Sequence, residues 1–408
     1  MSRRDVLALV QAGGSGGRMD VLTRERAKPA LPFGGVHRLI DFTLTALVHA
    51  GVRDVWVSLE YQVASIDEYL SGGRPWDLDS SRGGFRRVVP QTGSGPATED
   101  KFAHGNGDLL LRLARDIEAH GAETILVSSA DHVFATDLGP VIDGHLESGV
   151  AATVVTSEVT RRDAAQNVVV TTGRRGIVTA VDEKPSRPST GTVATEIFVY
   201  QTEPLLETLR SLRAELSADA EGDDSGIGDF GEHLLPRLVA DRQVRAVPLD
   251  GYWRDLGRPG SYLQGHRDLL RGKAQIHYPD RPILSKWPDR PAGRVRAGAR
   301  VEDSTLAPGC DVAGTVVGSV LGPGVVVEAG AHVEDSVLFE DVVVRKGARV
   351  VTAVIDDHCE IGLRARVGAE PRGRIAKDDD VALVGMDSRV GRDAEIPAGA
   401  RLEPGTTV

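Results

Sequence analysis

The feature that most narrows the folds open to this chain is a glycine that keeps returning in its last third, each time with an apolar residue three positions on. The pairs are Gly298 and Val301, Gly309 and Val312, Gly324 and Val327, Gly330 and Val333, Gly347 and Val350, Gly399 and Leu402, and Gly405 and Val408. Glycine marks places where the backbone turns through conformations that a side chain resists. Short Val-rich strands between such turns, with inward apolar residues at near-hexad steps, are the pattern of a parallel β-helix. An ordinary β-sandwich, the alternative, has no need of glycine at that step.

Prolines crowd residues 277–293, just ahead of the repeat, and the texture of the sequence changes there. A chain of 408 residues exceeds what one core normally supports, so the division falls at that point: one domain over 1–276, a linker over 277–293, a second domain over 294–408. In the first domain, β-rich runs at 6–10, 54–59, 124–128, 152–156, 177–181 and 197–200 alternate with helical periodicity over 39–50, 107–119, 138–147, 204–216 and 231–239. That alternation predicts an α/β domain with a largely parallel sheet. Residues 218–228, rich in Asp, Glu and Gly, read as a solvated loop.

The charge balance, 48 basic against 59 acidic residues with the signs interspersed and a net of -11, argues against nucleic acid or an anionic membrane as partner. A phosphate site must then be a local cluster of Arg and Lys. Two cysteines, Cys310 and Cys359, form neither a metal motif nor a disulfide framework, which suits a reducing cytoplasm. The apolar run 6–10 is too short for a signal-peptide core or a membrane span, and a cytoplasmic location is the expectation.

Four stations carry chemistry. The run 6–10 enters the turn Gly13, Gly14, Ser15, Gly16, Gly17, Arg18, which can present backbone N–H groups to an anion. It lacks the Gly-Lys-Ser/Thr of a Walker A loop, and Met19 stands where a dinucleotide fingerprint needs glycine. Arg18 can hold phosphate oxygens in bidentate fashion and Lys28, before Pro29, adds a point charge. Arg24 and Arg26 read more simply as surface charge. Asp131 follows an apolar strand, where α/β folds keep ligands, and is a candidate magnesium ligand, with Asp137 better placed to start the next helix. Asp255, in Tyr252, Trp253, Arg254, Asp255, Leu256, Gly257, is the second, since Mg²⁺ favours a few protein oxygens together with phosphates and water. Glu183 and Lys184, before Pro185, could anchor a smaller phosphate, although Glu-Lys-Pro alone reads as a surface turn.

In this order the four motifs resemble the ADP-glucose pyrophosphorylase (glucose-1-phosphate adenylyltransferase) family, as does the glycine-hexad domain. Phe33, Gly34, Gly35 with residues 38–42, and Asp229, Phe230, Gly231, extend the likeness over nearly the whole chain. The resemblance implies a Rossmann-like nucleotidyltransferase domain with a mixed, largely parallel sheet, followed by a left-handed parallel β-helix. It implies ATP and glucose 1-phosphate as substrates, Mg²⁺ on Asp131 and Asp255, and Arg18 and Lys28 on the nucleotide phosphates. Gly13, Gly14, Gln91, Gly105 and Asp108 would bind the nucleotide, and Glu183 and Lys184 the sugar phosphate. It further implies a homotetramer with an effector site, working in glycogen synthesis. Because a sugar phosphate is already ionised near neutrality, its second pKa being about 6, attack on the α-phosphorus needs no general base.

Three motifs depart from the family pattern. The base-binding Arg-Gly-Thr-Ala-Asp-Ala is here His104, Gly105, Asn106, Gly107, Asp108, Leu109; the Phe-Gly-Val of the sugar site is Asn167, Val168, Val169; and Ser-x-Gly is Ala194, Thr195, Glu196. Glu196 is placed beside the sugar, where its carboxylate could meet extra hydroxyls or the amine of glucosamine 1-phosphate; the plainer reading pairs it with a neighbouring Arg. Glu25, where some relatives carry a lysine that meets anionic activators, predicts weak or different activation. The departures also suit a paralogue that binds nucleotide or sugar phosphate as a sensor, but the survival of Arg18, Lys28, Asp131, Lys184 and Asp255 favours an enzyme. UTP or dTTP are alternative nucleotides. An acyltransferase on the β-helix would need a histidine base, and His332 and His358 read as surface residues.

Overall fold

The computed structural model describes residues 5–14, 16–80, 83–89, 103–216, 225–276, 279–371 and 377–408. Its first half is built on a nine-stranded sheet whose strands are β1 (Val6–Gln11), β2 (Asp54–Ser58), β3 (Gly84–Val88), β4 (Thr124–Ser129), β6 (Ala152–Glu158), β7 (Val168–Thr172), β8 (Val178–Glu183), β9 (Thr192–Gln201) and β10 (Val244–Pro248). A separate two-stranded ribbon joins β5 (His132–Phe134) to β11 (Trp253–Asp255). The main path runs β8-β7-β9-β4-β1-β2-β3, with β6 between β9 and β10. Around β1 every pairing is parallel, whereas β9 pairs antiparallel with β4, β6 and β7. The sheet is therefore the mixed one expected of a Rossmann-like nucleotidyltransferase domain, parallel around β1 and antiparallel around β9.

β1 sits at the centre because every residue from Val6 to Val10 is apolar and inaccessible, as a strand covered on both faces must be. Its side chains alternate between two cores: Val6, Ala8 and Val10 pack with Ile40, Leu44 and Leu47 of the helix Leu39–His49, and Leu7 and Leu9 with Leu109, Leu113 and Leu209. The helical run 107–119 is two helices, Asn106–Arg112 and Ala114–His120. Asp137 accepts the Gly139 N–H at the start of helix Gly139–Ser148, as expected.

From Arg294 to Leu402 the chain coils through three six-stranded parallel sheets, the left-handed parallel β-helix. Val295, Val312, Val327, Val344, Ile361 and Val390 pair in succession along one sheet. All seven glycines of the repeat have positive φ. Other corners use non-glycine residues in the same conformation, among them Asp303, Asp335, Asp341, Asp387 and Asp393; Asp tolerates it by bonding locally. Residues 279–293 form neither helix nor named strand, yet Leu284 is fastened to the first half by Thr45 and Trp76.

A further apolar cluster joins the halves, with Met19, Leu22, Phe33 and Tyr262 packed with Val320, Val337, Phe339 and Leu383. Among the described residues no helix is long and apolar enough to cross a membrane. Both cysteines are buried and free. His332 is half-buried and bonded to Glu334, and His358 is exposed.

Candidate active site

β1 and β4 end together, Gln11 opposite Ser129, at the strand edge where α/β sheets hold ligands. β1 runs on into Gly13 and Gly14. β4 runs on through Ala130, whose N–H bonds Gln11 O at 3.1 Å, into Asp131. The next residue, His132, begins β5, and its antiparallel pairing with β11 sets Asp255 directly opposite His132. Two carboxylates distant in sequence thus meet through one short ribbon.

Lys28 lies between them on a tight turn, Lys28–Ala30, stiffened by Pro29. Its Nζ is 2.5 Å from Asp131 Oδ2 and 3.7 Å from Asp255 Oδ1. His132 Nε2 stands 3.6 Å from Asp131 and 3.7 Å from Asp255, and the Ser129 hydroxyl donates to the other Asp131 oxygen. Burial alone would discharge Lys28, but Asp131 and Asp255 outweigh it and hold its pKa above the usual value. Burial would likewise raise Asp131; Lys28, His132 and Ser129 instead hold it well below the carboxylate range. His132 is held above its ordinary pKa, because Asp131, Glu196 and Asp255 overcome the burial that opposes its charge.

Arg18 is exposed at the rim. A Cβ at Gly257 would lie 3.1 Å from its guanidinium and 3.0 Å from Asp255 Oδ1, so glycine at 257 leaves room for the two to face each other. Glu196 occupies a break in β9 between Ala194 and Phe198 and has φ 58. Ligand atoms of Asp131, His132 and Glu196 lie within 4.8 Å of one another, and no arginine pairs with Glu196 among the described residues. Burial pushes Glu196 up to about 7, with Asp131 and Asp255 adding to the shift and His132 opposing it. Lys184, with φ 43, is half-exposed and reaches Glu183 at 2.5 Å and Asp229 at 3.6 Å.

A cavity of about 310 Å³ gathers Gly13, Gly14, Lys28, Glu60, Gly105, Asn106, Asp131, Glu196 and Asp229. A second, of about 550 Å³, is lined by Arg18, Gln166, Asn167, Trp253, Asp255 and Arg258. Asp108 lines neither. It is buried, binding Arg112 at 2.7 Å, the His104 N–H at 3.0 Å and Ser225 at 2.6 Å, and buttresses the loop that carries Gly105. Gln91 lies outside the described residues. Arg24 is exposed as expected, but Arg26 is only 5% exposed, because carboxylates of the β-helix surround it.

Sequence reading gave Asn106 and Asp229 a place in motifs but no role at the site, and overlooked Glu60 and Ser129. Glu60 leaves β2 at the same sheet edge as Asp131 leaves β4, which was the available signal. Its carboxyl is buried beside Gly13 and pushed up to about 7 by that burial, with Asp108 adding and Arg112 opposing.

The carboxylate pair fits a hard divalent cation. Such ions take carboxylate oxygens and keep sites open for phosphate and water. Asp255 Oδ1 is buried without a hydrogen-bond partner, and both carboxylates already converge on a positive charge, that of Lys28.

The family model of nucleotidyl transferases matches residues 7–272, and that of the GlmU-like C-terminal hexapeptide matches 292–380. The glucose-1-phosphate adenylyltransferase of Thermomicrobium roseum is 35% identical over 98% of this chain and 91% of its own length. That of Desulforamulus reducens is 30% identical over 97% and 99%, and that of Bacillus cereus strain Q1 is 31% identical over 86% and 92%. With the central sheet, the converging carboxylates and the hexapeptide coil, these matches place the chain: it is a nucleotidyltransferase and belongs to the glucose-1-phosphate adenylyltransferase family.

Proposed function

We propose that this enzyme transfers the adenylyl group of ATP to glucose 1-phosphate, forming ADP-glucose and pyrophosphate for glycogen or α-glucan synthesis. The observation that carries this reading is the meeting of Asp131 and Asp255 around Lys28, where Asp131 and Lys28 line the glycine-turn cavity and Asp255 lines the second one. Gly13, Gly14 and Gly105 receive the nucleotide there. Lys28 and Arg18 neutralise its phosphates as pyrophosphate leaves. Lys184, kept charged by Glu183 and Asp229 against the burial that opposes it, takes the sugar phosphate. Asp131 and Asp255 would hold Mg²⁺, which supplies charge neutralisation at the reacting phosphate groups. Positioning and charge then carry the rate, since the nucleophile is already an anion.

The domains would divide at 1–276, 277–293 and 294–408, and the cytoplasmic enzyme would assemble as a homotetramer with an allosteric effector site. Glu25, exposed beside Arg24, would weaken activation by anionic sugar phosphates. Glu196 supports a second substrate, glucosamine 1-phosphate, because it lines the cavity and pairs with no arginine among the described residues. Incubating the protein and Mg²⁺ with a panel of nucleoside triphosphates and hexose 1-phosphates, then weighing the products, tests both. ADP-glucose as the dominant product supports the first reading; absence of any nucleotide sugar sinks it. Glucosamine 1-phosphate turned over no better by the native enzyme than by Glu196→Gly removes the second.

A further inference from the structure

The segment that carries Arg18 and Lys28 is fastened to the β-helix as well as to its own domain, where Gln62 donates to the Arg24 carbonyl at 2.7 Å and the Ser65 hydroxyl accepts the Ala27 N–H at 2.9 Å. Asp20 pairs with Arg401 at 3.2 Å, and Arg24 with Glu403 at 3.2 and 3.3 Å. The Arg24 pair is open to solvent, where such contacts contribute little, and the Asp20 pair is half-buried. Arg26 differs. Its two terminal nitrogens donate to Asp356, at 2.7 Å, and to Asp357, and the guanidinium lies 5.5 Å from the centre of the Phe339 ring. Arg26 and Asp356 are 5% and 1% exposed. The carboxylates are themselves held in place: Asp357 accepts the Glu340 N–H at 2.9 Å and Asp356 accepts the Asp357 N–H at 2.7 Å. A planar fork held by two fixed carboxylates and an aromatic face has little freedom to shift.

Only Ala27 separates this clamp from Lys28. We infer that Arg26 is a positioning residue for catalysis, through which Asp356 and Asp357 of the β-helix set where the Lys28 ammonium stands between Asp131 and Asp255. The β-helix is on this account part of the catalytic apparatus, although none of its residues lines either cavity at the carboxylate pair. The inference rests on the proposed role of Lys28.

A second buried pair between the halves provides the control. Arg267, 7% exposed, binds Asp335 of the β-helix with Nε at 2.7 Å, but it sits on the helix Pro259–Leu270 and not on the segment that carries Lys28. The full-length variants Arg26→Ala, Arg26→Lys, Asp357→Asn and Arg267→Ala are compared by pyrophosphate release and thermal melting. A displacement near 1 Å at a reacting group costs about 100-fold. Arg26→Ala is therefore expected to lose about 10- to 100-fold in kcat, with KM for the sugar phosphate changing by less than about threefold. Arg26→Lys and Asp357→Asn should lose less. Guanidinium added below denaturing concentration should restore part of the kcat of Arg26→Ala, since Arg26 lines a cleft of about 510 Å³ between the halves. Arg267→Ala should melt lower with kcat unchanged. The inference is overturned if Arg26→Ala, or Arg26→Lys and Asp357→Asn should Arg26→Ala fail to fold, keep native kcat. It is equally overturned if Arg267→Ala loses kcat to the same degree. Lys28→Ala is measured beside them: full activity there sinks the reading of Lys28, whereas an inactive Lys28→Ala with an active Arg26→Ala sinks only the clamp.

Discussion

Lys28 and Asp131 keep each other charged inside a site that would otherwise neutralise both. Each would lose its charge to burial, and each regains it from the other. Asp131→Asn retains the shape and removes the charge, so kcat is expected to fall by about 100-fold or more, and the melting temperature to fall with it because buried Lys28 loses its nearer carboxylate; near-native turnover would contradict the assignment. Glu60 should behave in the opposite way. With its pKa pushed up to about 7, it is neutral in acid and can donate a hydrogen bond to the nucleotide, but above about pH 7 it becomes an anion facing a triphosphate. KM for the nucleotide should therefore rise as pH increases through 7, and Glu60→Gln should flatten that rise; parallel profiles for the two proteins would remove Glu60 from the nucleotide site. Lys28, Asp131 and Asp255 were legible in the sequence because each stands beside a strand exit or in a distinctive motif. Arg26 was not. Within Arg24, Glu25, Arg26 it reads as solvated charge, and only the apposed Asp356 and Asp357 make its burial affordable.

The ribbon of β5 and β11 and the loop before helix Asn106–Arg112 are the elements that shape the site. Gly105 has φ 96, and a Cβ there would come within 2.5 Å of the Gly228 backbone. That close approach lets the N–H groups of Gly107 and Asp108 bond Gly228 O at 3.1 and 3.3 Å, which holds the cavity wall. Gly105→Ala should cost about 1–3 kcal/mol of stability and raise KM for the nucleotide, both readable by thermal melting and initial rates; an unchanged melting point would show that the wall yields freely. At this scale the strands at 6–10, 54–59 and 124–128 were visible as apolar runs. Gly84–Val88 and Val244–Pro248 were not, since their apolar residues are few and interrupted by arginine. The pairing of Asp255 with His132 has no local signal at all.

The two halves share an apolar cluster in which Phe339 is 1% exposed and touches Tyr262 and Arg26. Truncating it should cost about 3–5 kcal/mol, taken from the junction rather than from either core. Phe339→Ala is thus expected to lower the thermal transition and split it into two, with activity lost in the earlier one; a single transition with activity lost at the later stage would place the coupling elsewhere. The amino-acid sequence by itself determined the coil of the second half, because glycine at the corners and valine three residues on are local requirements of backbone and packing. It also determined the kind of site, since a glycine turn, Lys28 and the two aspartates announce their chemistry by type and order. Only the tertiary structure decided that Asp131 and Asp255 meet, that Asp108 props a loop instead of lining the cavity, and that the β-helix grips the segment bearing Lys28. Those outcomes depend on contacts between residues from four to more than three hundred positions apart, and whether a charge is buried or solvated there follows from what the fold sets against it.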